Sequence, residues 1–251
     1  MAALALTLAA CGGGSGDGEG ASGLRLDRSR TPRATTTTTT PSTTAAAAPA
    51  ADATSLVAQA KPASMPIYPT AANGEPVMSL GNPNENGAPL VFLVNERQGD
   101  WLHVYLPVRP NGSTGWVRAA DVTVVSNPYS IDINLGEHRL VVHKGEQIML
   151  DEPIGVGTAQ TPTPGGVYYI KELLQPADPG GPYGPYAYGL SGFSNVLDEF
   201  NGGDGVIGLH GTNEPEAIGT DVSHGCIRMR NEAILDLVPV LPLGTPVHIT
   251  A

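Results

Sequence analysis

The sequence is short of the residues that several function classes need. Two cysteines stand in 251 residues, too few for a disulfide scaffold or a Cys-rich zinc site. Basic residues number 13 against 24 acidic ones, a net charge of −11 with histidine neutral. No Lys/Arg-rich stripe exists to track phosphates, so nucleic acid is not an expected partner. No run reaches about 18 apolar residues, so a membrane-spanning helix is not expected. Aromatic residues make up 5% of the chain and charged residues 15%. In their place stand 32 Gly and 23 Pro. With few long helical patterns, that composition leans toward β structure.

Composition divides the chain into three regions. Residues 1–60 are neutral, 61–125 carry a net −1, and 126–251 carry −10. Met1–Ala10 is a short apolar run ending in Leu8-Ala9-Ala10-Cys11, with Gly12 to Gly14 directly after it. This stretch resembles the lipobox of bacterial lipoprotein signals. The resemblance implies cleavage before Cys11, lipidation of Cys11 and an anchor on the outer face of the cytoplasmic membrane, or secretion to the cell wall. It departs from an export signal in having no Lys or Arg ahead of the apolar run. Residues 12–60 hold a Gly/Ser run, four arginines between Leu24 and Arg33, six threonines at Thr35–Thr40, and then Ala and Pro. With so little apolar surface to offset ordering entropy, they are expected to form a disordered stalk.

Residues 61–125 alternate turn signals with short β-type runs. Asn73-Gly74, Gly81-Asn82-Pro83-Asn84 and Asn111-Gly112 mark turns between Pro89–Val94, Trp101–Leu106 and Gly115–Arg118. Short strands at this spacing predict a small barrel or sandwich. Trp101-Leu102-His103-Val104-Tyr105 alternates as a strand with one buried face. The tryptophan-headed strand and the Gly115-Trp116-Val117 strand resemble the end of bacterial SH3-like domains. That resemblance implies a wall-binding or spacer module with a possible glycan contact. Trp101 and Trp116 are expected in the core rather than as ligand platforms.

Residues 126–251 begin as a β-meander: Tyr129–Asn134, Arg139–His143 and Gln147–Leu150, separated by turns at Gly136 and Gly145. Thr161–Gly166 reads as a rigid turn before a strand at Val167–Lys171. Gln175–Ser194 is rich in Gly, Pro and Tyr and is expected to be a long functional loop. Gly205–His210 reads as a strand ending in histidine. Asn231–Leu237 is the clear short helix, and Leu243–Thr250 closes the chain as a strand.

The chemistry concentrates in His210-Gly211-Thr212-Asn213 and Ser223-His224-Gly225-Cys226-Ile227-Arg228-Met229. Cys226 is the one cysteine in the part expected to fold, and glycine and histidine surround it. Cysteine attacks as thiolate and needs a base or a positive neighbour. His210 and His224 are both candidates. Three readings stay open at this level. Cys226 is a nucleophile with a histidine base; or His210, His224 and Cys226 hold a metal; or these are satisfied structural residues.

The two segments together closely resemble the catalytic signature of the L,D-transpeptidase (YkuD) family. The resemblance implies a mainly β fold: a YkuD-type β-sandwich catalytic domain with one short helix, behind the small SH3-like barrel. It implies a cysteine acyltransferase acting on peptidoglycan stem peptides, with no cofactor. By position, Cys226 matches the nucleophile and His210 the general base and acid. Gly211 matches the carbonyl that orients that histidine, and Ser223, His224 and Gly225 match the conserved lead-in. The amides of Gly225 and Cys226 would form an oxyanion hole. Arg228, and Tyr188 within the lid-like loop 175–194, are expected at the substrate. A papain-like wall peptidase places its cysteine before its histidine in the chain; here His210 precedes Cys226. A hydrolytic variant and a non-catalytic wall binder remain as alternatives.

Overall fold

The computed structural model describes residues 54–200 and 203–251. The apolar run with Cys11 and most of the expected stalk lie outside the described residues. The N-terminal part holds β1 (Ser55–Ala60), β2 (Ser64–Ile67), β3 (Met78–Gly81), β4 (Val91–Gln98), β5 (Trp101–Tyr105), β6 (Thr114–Arg118) and β7 (Val122–Asn127). Five of them form one antiparallel sheet in the order β6-β5-β4-β1-β7, and β2 pairs with β3. The expected stalk boundary at 60 is therefore too late. Ser55–Ala60 pairs on both edges, with β4 and with β7. Val57 and Ala58 are buried there, a short apolar pair that composition alone hid beside the Ala-rich run.

Period-2 alternation decides which face of β5 is inside. Leu102 and Val104 are fully buried beside Phe92, Met65, Ile67 and Val117. The same alternation turns Trp101 outward, and Trp116 follows on β6, so both are half-buried rather than core. Trp116 stacks on His103 at 4.8 Å, and Trp101 meets Tyr68 edge-on at 5.0 Å. The expectation that the two tryptophans fill the core fails because Leu102 and Val117 already occupy the inward positions.

The C-terminal part holds β8 (Tyr129–Asn134), β9 (Arg139–Lys144), β10 (Gln147–Pro153), β11 (Val156–Gly157), β12 (Gly166–Leu174), β13 (Ala187–Phe193), β14 (Val206–His210), β15 (Asp221–Ser223), β16 (Ile227–Arg228), α1 (Asn231–Leu237) and β17 (Pro246–Thr250). Eight strands form one mixed sheet in the order β10-β9-β8-β17-β12-β13-β14-β16. Among the described residues the fold is mainly β with one short α-helix, as the sequence predicts. Ile131 and Leu140 from one end of the sheet share a buried cluster with Leu209 and Ile227 from the other. The sheet is therefore curled around a single core, and α1 adds Ile234 and Leu237 to it.

Residues 175–194 are not all loop. Ala187–Phe193 is β13, paired with β12 and β14. Its glycines read as loop signals but serve the sheet. A Cβ at Gly189 would come within 2.5 Å of Glu172 Oε1, and one at Gly192 within 2.5 Å of the Tyr168 ring. Each glycine makes room for a large neighbour across the ladder.

The two sheets are joined by buried contacts. Tyr169 packs fully buried against Val57, Val91 and Leu93. Asn127 Nδ2 donates to Thr245 Oγ1 at 3.0 Å. Arg109 donates to the carbonyls of Ser194, Leu197 and Asp204 at 2.8, 2.9 and 2.9 Å, and its guanidinium stacks 4.9 Å from the Phe193 ring centroid. Asn111 exchanges two hydrogen bonds with the Phe193 backbone. One guanidinium thus ties Ser194 and Leu197 to Asp204, next to Phe200, Gly203 and Gly205 of the cavity described below. Arg109→Ala removes these charge-assisted bonds and is expected to cost about 1–3 kcal/mol and to raise protease cleavage between 194 and 205. Arg109→Lys is expected to recover less than half, since an ammonium lacks the planar fork. Chemical denaturation and limited proteolysis check both; unchanged curves for Arg109→Ala would show the contact to be incidental.

Candidate active site

His210 ends β14, and Cys226 sits immediately before β16, its parallel neighbour. The register pairs Leu209 with Ile227 and His210 with Arg228. Two distant sequence segments are thereby brought side by side. Both residues line one cavity of about 680 Å³, together with Glu172, Tyr183, Gly189, Phe200, Gly208 and others. Tyr183 meets His210 edge-on at 5.0 Å.

The imidazole is buried, 4% exposed. Its Nδ1 lies 2.6 Å from Gly211 O. A carbonyl only accepts, so Nδ1 carries the proton and Nε2 is left as an acceptor. Burial pulls the His210 pKa down to about 4; the Gly211 carbonyl opposes the shift and the Arg228 charge adds to it. The ring is neutral at pH 7. Burial pushes the Cys226 thiol up, against smaller downward pulls from a Gly208 backbone hydrogen bond and the Arg228 charge. The resting pair is a neutral thiol beside a neutral base.

The Ser223–Cys226 segment is a tight turn. Ser223 Oγ donates to Cys226 O at 2.6 Å and accepts from Gly225 N at 3.1 Å. Gly225 has φ +117, a conformation that favours glycine. The Gly225 amide is thus occupied by Ser223, which corrects the expectation that it points at an oxyanion. Ser223 is buried and fixes the turn instead. The Cys226 amide makes no hydrogen bond among the described residues.

The other expected site residues divide. Gly211 supplies its carbonyl to His210 as the motif implies. His224 turns away, exposed and stacked on Phe200 at 5.2 Å; it does not line the cavity, so His210, His224 and Cys226 form no common ligand set. Arg228 is paired with Glu214 at 2.6 Å and also stays out of the lining; it reaches the site through its charge. Tyr188 is fully buried in the core. Its hydroxyl has no partner, and burial raises its pKa to about 12. Tyr188 is among the residues that line the cavity, although its side chain is fully buried; Tyr183 is the tyrosine beside His210.

Two supporting residues escaped sequence reasoning. Asn231 Oδ1 accepts from Thr212 N at 2.8 Å and packs on Gly211, where a Cβ would collide with it. Its signal was an asparagine at a helix start, ordinarily only a cap. Glu172 is 2% exposed and lines the cavity floor. No motif contains it.

Comparison with known proteins finds similarity over the part of the chain that holds this cavity. Residues 128–249 match the family model of the L,D-transpeptidase (YkuD) catalytic domain. The chain is 38% identical over 122 residues to Bacillus subtilis YkuD, a protein assigned to the L,D-transpeptidases, covering 49% of this chain and 66% of that relative. It is 49% identical over 43 residues to Escherichia coli YbiS, also assigned to the L,D-transpeptidases, covering 17% of this chain and 14% of that one. Among solved structures, an L,D-transpeptidase from Mycobacterium smegmatis aligns with 14% identity and a TM-score of 0.42, over 78% of this chain and 99% of that one. The similarity to YkuD-type L,D-transpeptidase catalytic domains thus falls on the segment from Pro128 to Ile249, which carries His210 and Cys226, and the chain spans just under two thirds of the YkuD relative that it matches.

Proposed function

We propose that the chain is a peptidoglycan L,D-transpeptidase that works through a Cys226 thioester. The observation that carries this reading is the tautomer of His210, neutral, protonated on Nδ1, and in one cavity with the thiol. In the donor half-reaction Cys226 Sγ attacks the carbonyl carbon of the third residue of a stem tetrapeptide. His210 Nε2 takes the thiol proton, and the Cys226 amide supports the developing oxyanion. The amide bond to D-Ala breaks, His210 returns the proton to the leaving amine, and a thioester remains. In the acceptor half-reaction an amine of a second stem attacks the thioester, His210 takes its proton, and the thiol leaves as the 3-3 cross-link forms.

The remaining assignments follow from sequence. Cys11 anchors the chain to the outer face of the cytoplasmic membrane, and residues 12–53 act as a tether. The N-terminal sheet is read as an SH3-like module, with the half-buried Trp101 and Trp116 on one face available to glycan.

Intact-protein mass spectrometry with a disaccharide tetrapeptide tests the reading. The expected result is an acyl adduct on Cys226, D-Ala release and a cross-linked dimer, all lost in Cys226→Ala. D-Ala release with tripeptide as the sole product would identify a carboxypeptidase. A folded protein with neither adduct nor release would overturn the enzyme assignment.

The acidity of the pair gives a second test. His210 is a base only when neutral, and its folded-state pKa is about 4, below the ordinary value near 6.5. Activity is therefore retained as pH falls through 6.5 and lost only as it falls through about 4. The raised thiol makes the rate of iodoacetamide alkylation keep climbing past the ordinary thiol range. An acid limb near 6.5 in kcat/KM would contradict the buried, neutral His210.

A further inference from the structure

The cavity floor is one face of the sheet, and a single row of residues crosses it. Glu172 on β12 pairs with Gly189 on β13, and Gly189 pairs with Gly208 on β14. Cys226 directly precedes β16, the parallel neighbour of β14, and its thiol lies close enough to the Gly208 backbone to be drawn down by it. All four residues line the cavity. The row therefore runs from a carboxylate, across two positions without side chains, to the thiol.

The carboxylate is held in a definite orientation. Asn84 and Asn86, from the turn between β3 and β4, both donate to Glu172 Oε2, at 2.8 and 2.9 Å. Oε1 accepts no hydrogen bond among the described residues; its near neighbour is the Lys171 ammonium at 3.5 Å. The Gly189 clearance places Oε1 above that glycine, toward the thiol. A register shift between Ile170 and Glu172 brings Lys171 to the same carboxylate, as bulges near active sites commonly do. Glu85 and Asp204 also line the cavity, and no Lys or Arg does. The local field therefore favours a second cation.

Distance selects which cation. Adjacent strands lie about 4.8 Å apart, so the gap from above Gly189 to the thiol on the far side of Gly208 is on the order of 10 Å. From a carbonyl carbon to the ammonium of an extended four-carbon side chain is roughly 7 Å, and a hydrogen bond adds about 2.8 Å. The two lengths agree. We propose that Glu172 is a specificity-determining residue whose Oε1 receives the side-chain ammonium of the acyl donor's reacting residue. That side chain lies along the Gly189–Gly208 trough while its carbonyl sits at Cys226. The assignment rests on the reading of Cys226 as nucleophile.

The test compares two tetrapeptide donors in the full chain, one with a free side-chain amine on the third residue and one with that amine acetylated. The wild type is expected to favour the free amine by about tenfold in kcat/KM, the scale of one charge-assisted hydrogen bond. The preference is expected to reside in KM. Glu172→Gln, which keeps the acceptor for Asn84 and Asn86, is expected to bring the two donors to near parity. Asn84→Ala/Asn86→Ala removes the anchor but keeps the charge, and is expected to retain the preference. A preference that survives Glu172→Gln, or that is lost only in the double asparagine variant, overturns the proposal. A second arm measures binding of both donors to Cys226→Ala by calorimetry, where no chemistry occurs. If the wild type releases no D-Ala, the nucleophile reading fails, and this arm still decides the ammonium site. Equal affinities reject it; about tenfold weaker binding of the acetylated donor upholds it.

Discussion

The hydrogen bond from His210 Nδ1 to Gly211 O is the contact on which the site turns. Burial alone makes the imidazole neutral but leaves the proton free to sit on either nitrogen. A carbonyl 2.6 Å from Nδ1 removes that freedom. The carbonyl is itself fixed by crowding. A Cβ at Gly211 would run into Asn231 and come within 3.0 Å of the Pro185 ring. Glycine is thus required at 211 by space rather than by backbone angle. Asn231 closes the arrangement through its bond to Thr212 N. The start of α1, the end of β14 and the tyrosine-bearing loop before β13 meet at this one peptide group.

Neutrality of both partners has a consequence for reactivity. Arg228 pulls the thiol toward thiolate and pushes the imidazolium toward neutral, so its charge does not build a standing ion pair. Desolvation dominates at both groups, and the proton rests on sulfur. Nucleophilicity then comes from positioned proton transfer during attack rather than from a stored thiolate. A thiol that is rarely ionised is also slower to oxidise.

Much of this was legible in the sequence, and the failures have common physical roots. The helix Asn231–Leu237 and the first two strands of the C-terminal sheet follow from periodicity, because each buries one face. The pairing of His210 with Cys226 follows from the motif. β13 was missed because Gly189 and Gly192 look like loop residues when their function is to admit Glu172 and Tyr168 from across the ladder. The burial of Tyr188 has the same origin: β13 is a strand in the middle of the sheet, and its side chain joins the core while the residue still lines the cavity. The Gly225 amide was misassigned because only coordinates reveal that Ser223 Oγ accepts from it. Glu172 was invisible for a different reason. Its importance arises from register across three strands, and nothing local encodes a row.

That row also bears on what the N-terminal sheet does. A mere spacer would touch the catalytic sheet wherever convenient. Instead, its two contacts nearest the cavity both fall on the cavity wall. Asn84 and Asn86 hold the carboxylate at the floor, and Arg109 holds the segment carrying Phe200, Asp204 and Gly205. Between them, Glu85 lines the cavity. Each anchor is an oriented polar contact, which fixes register in a way that apolar packing alone does not. The apolar seam around Tyr169 provides adhesion, while the asparagines and the arginine determine where the wall stands. The cavity is therefore a joint product of both sheets. Removing the N-terminal sheet would take away the polar contacts to Glu172, Ser194, Leu197 and Asp204, and with them the wall beside Cys226 and His210.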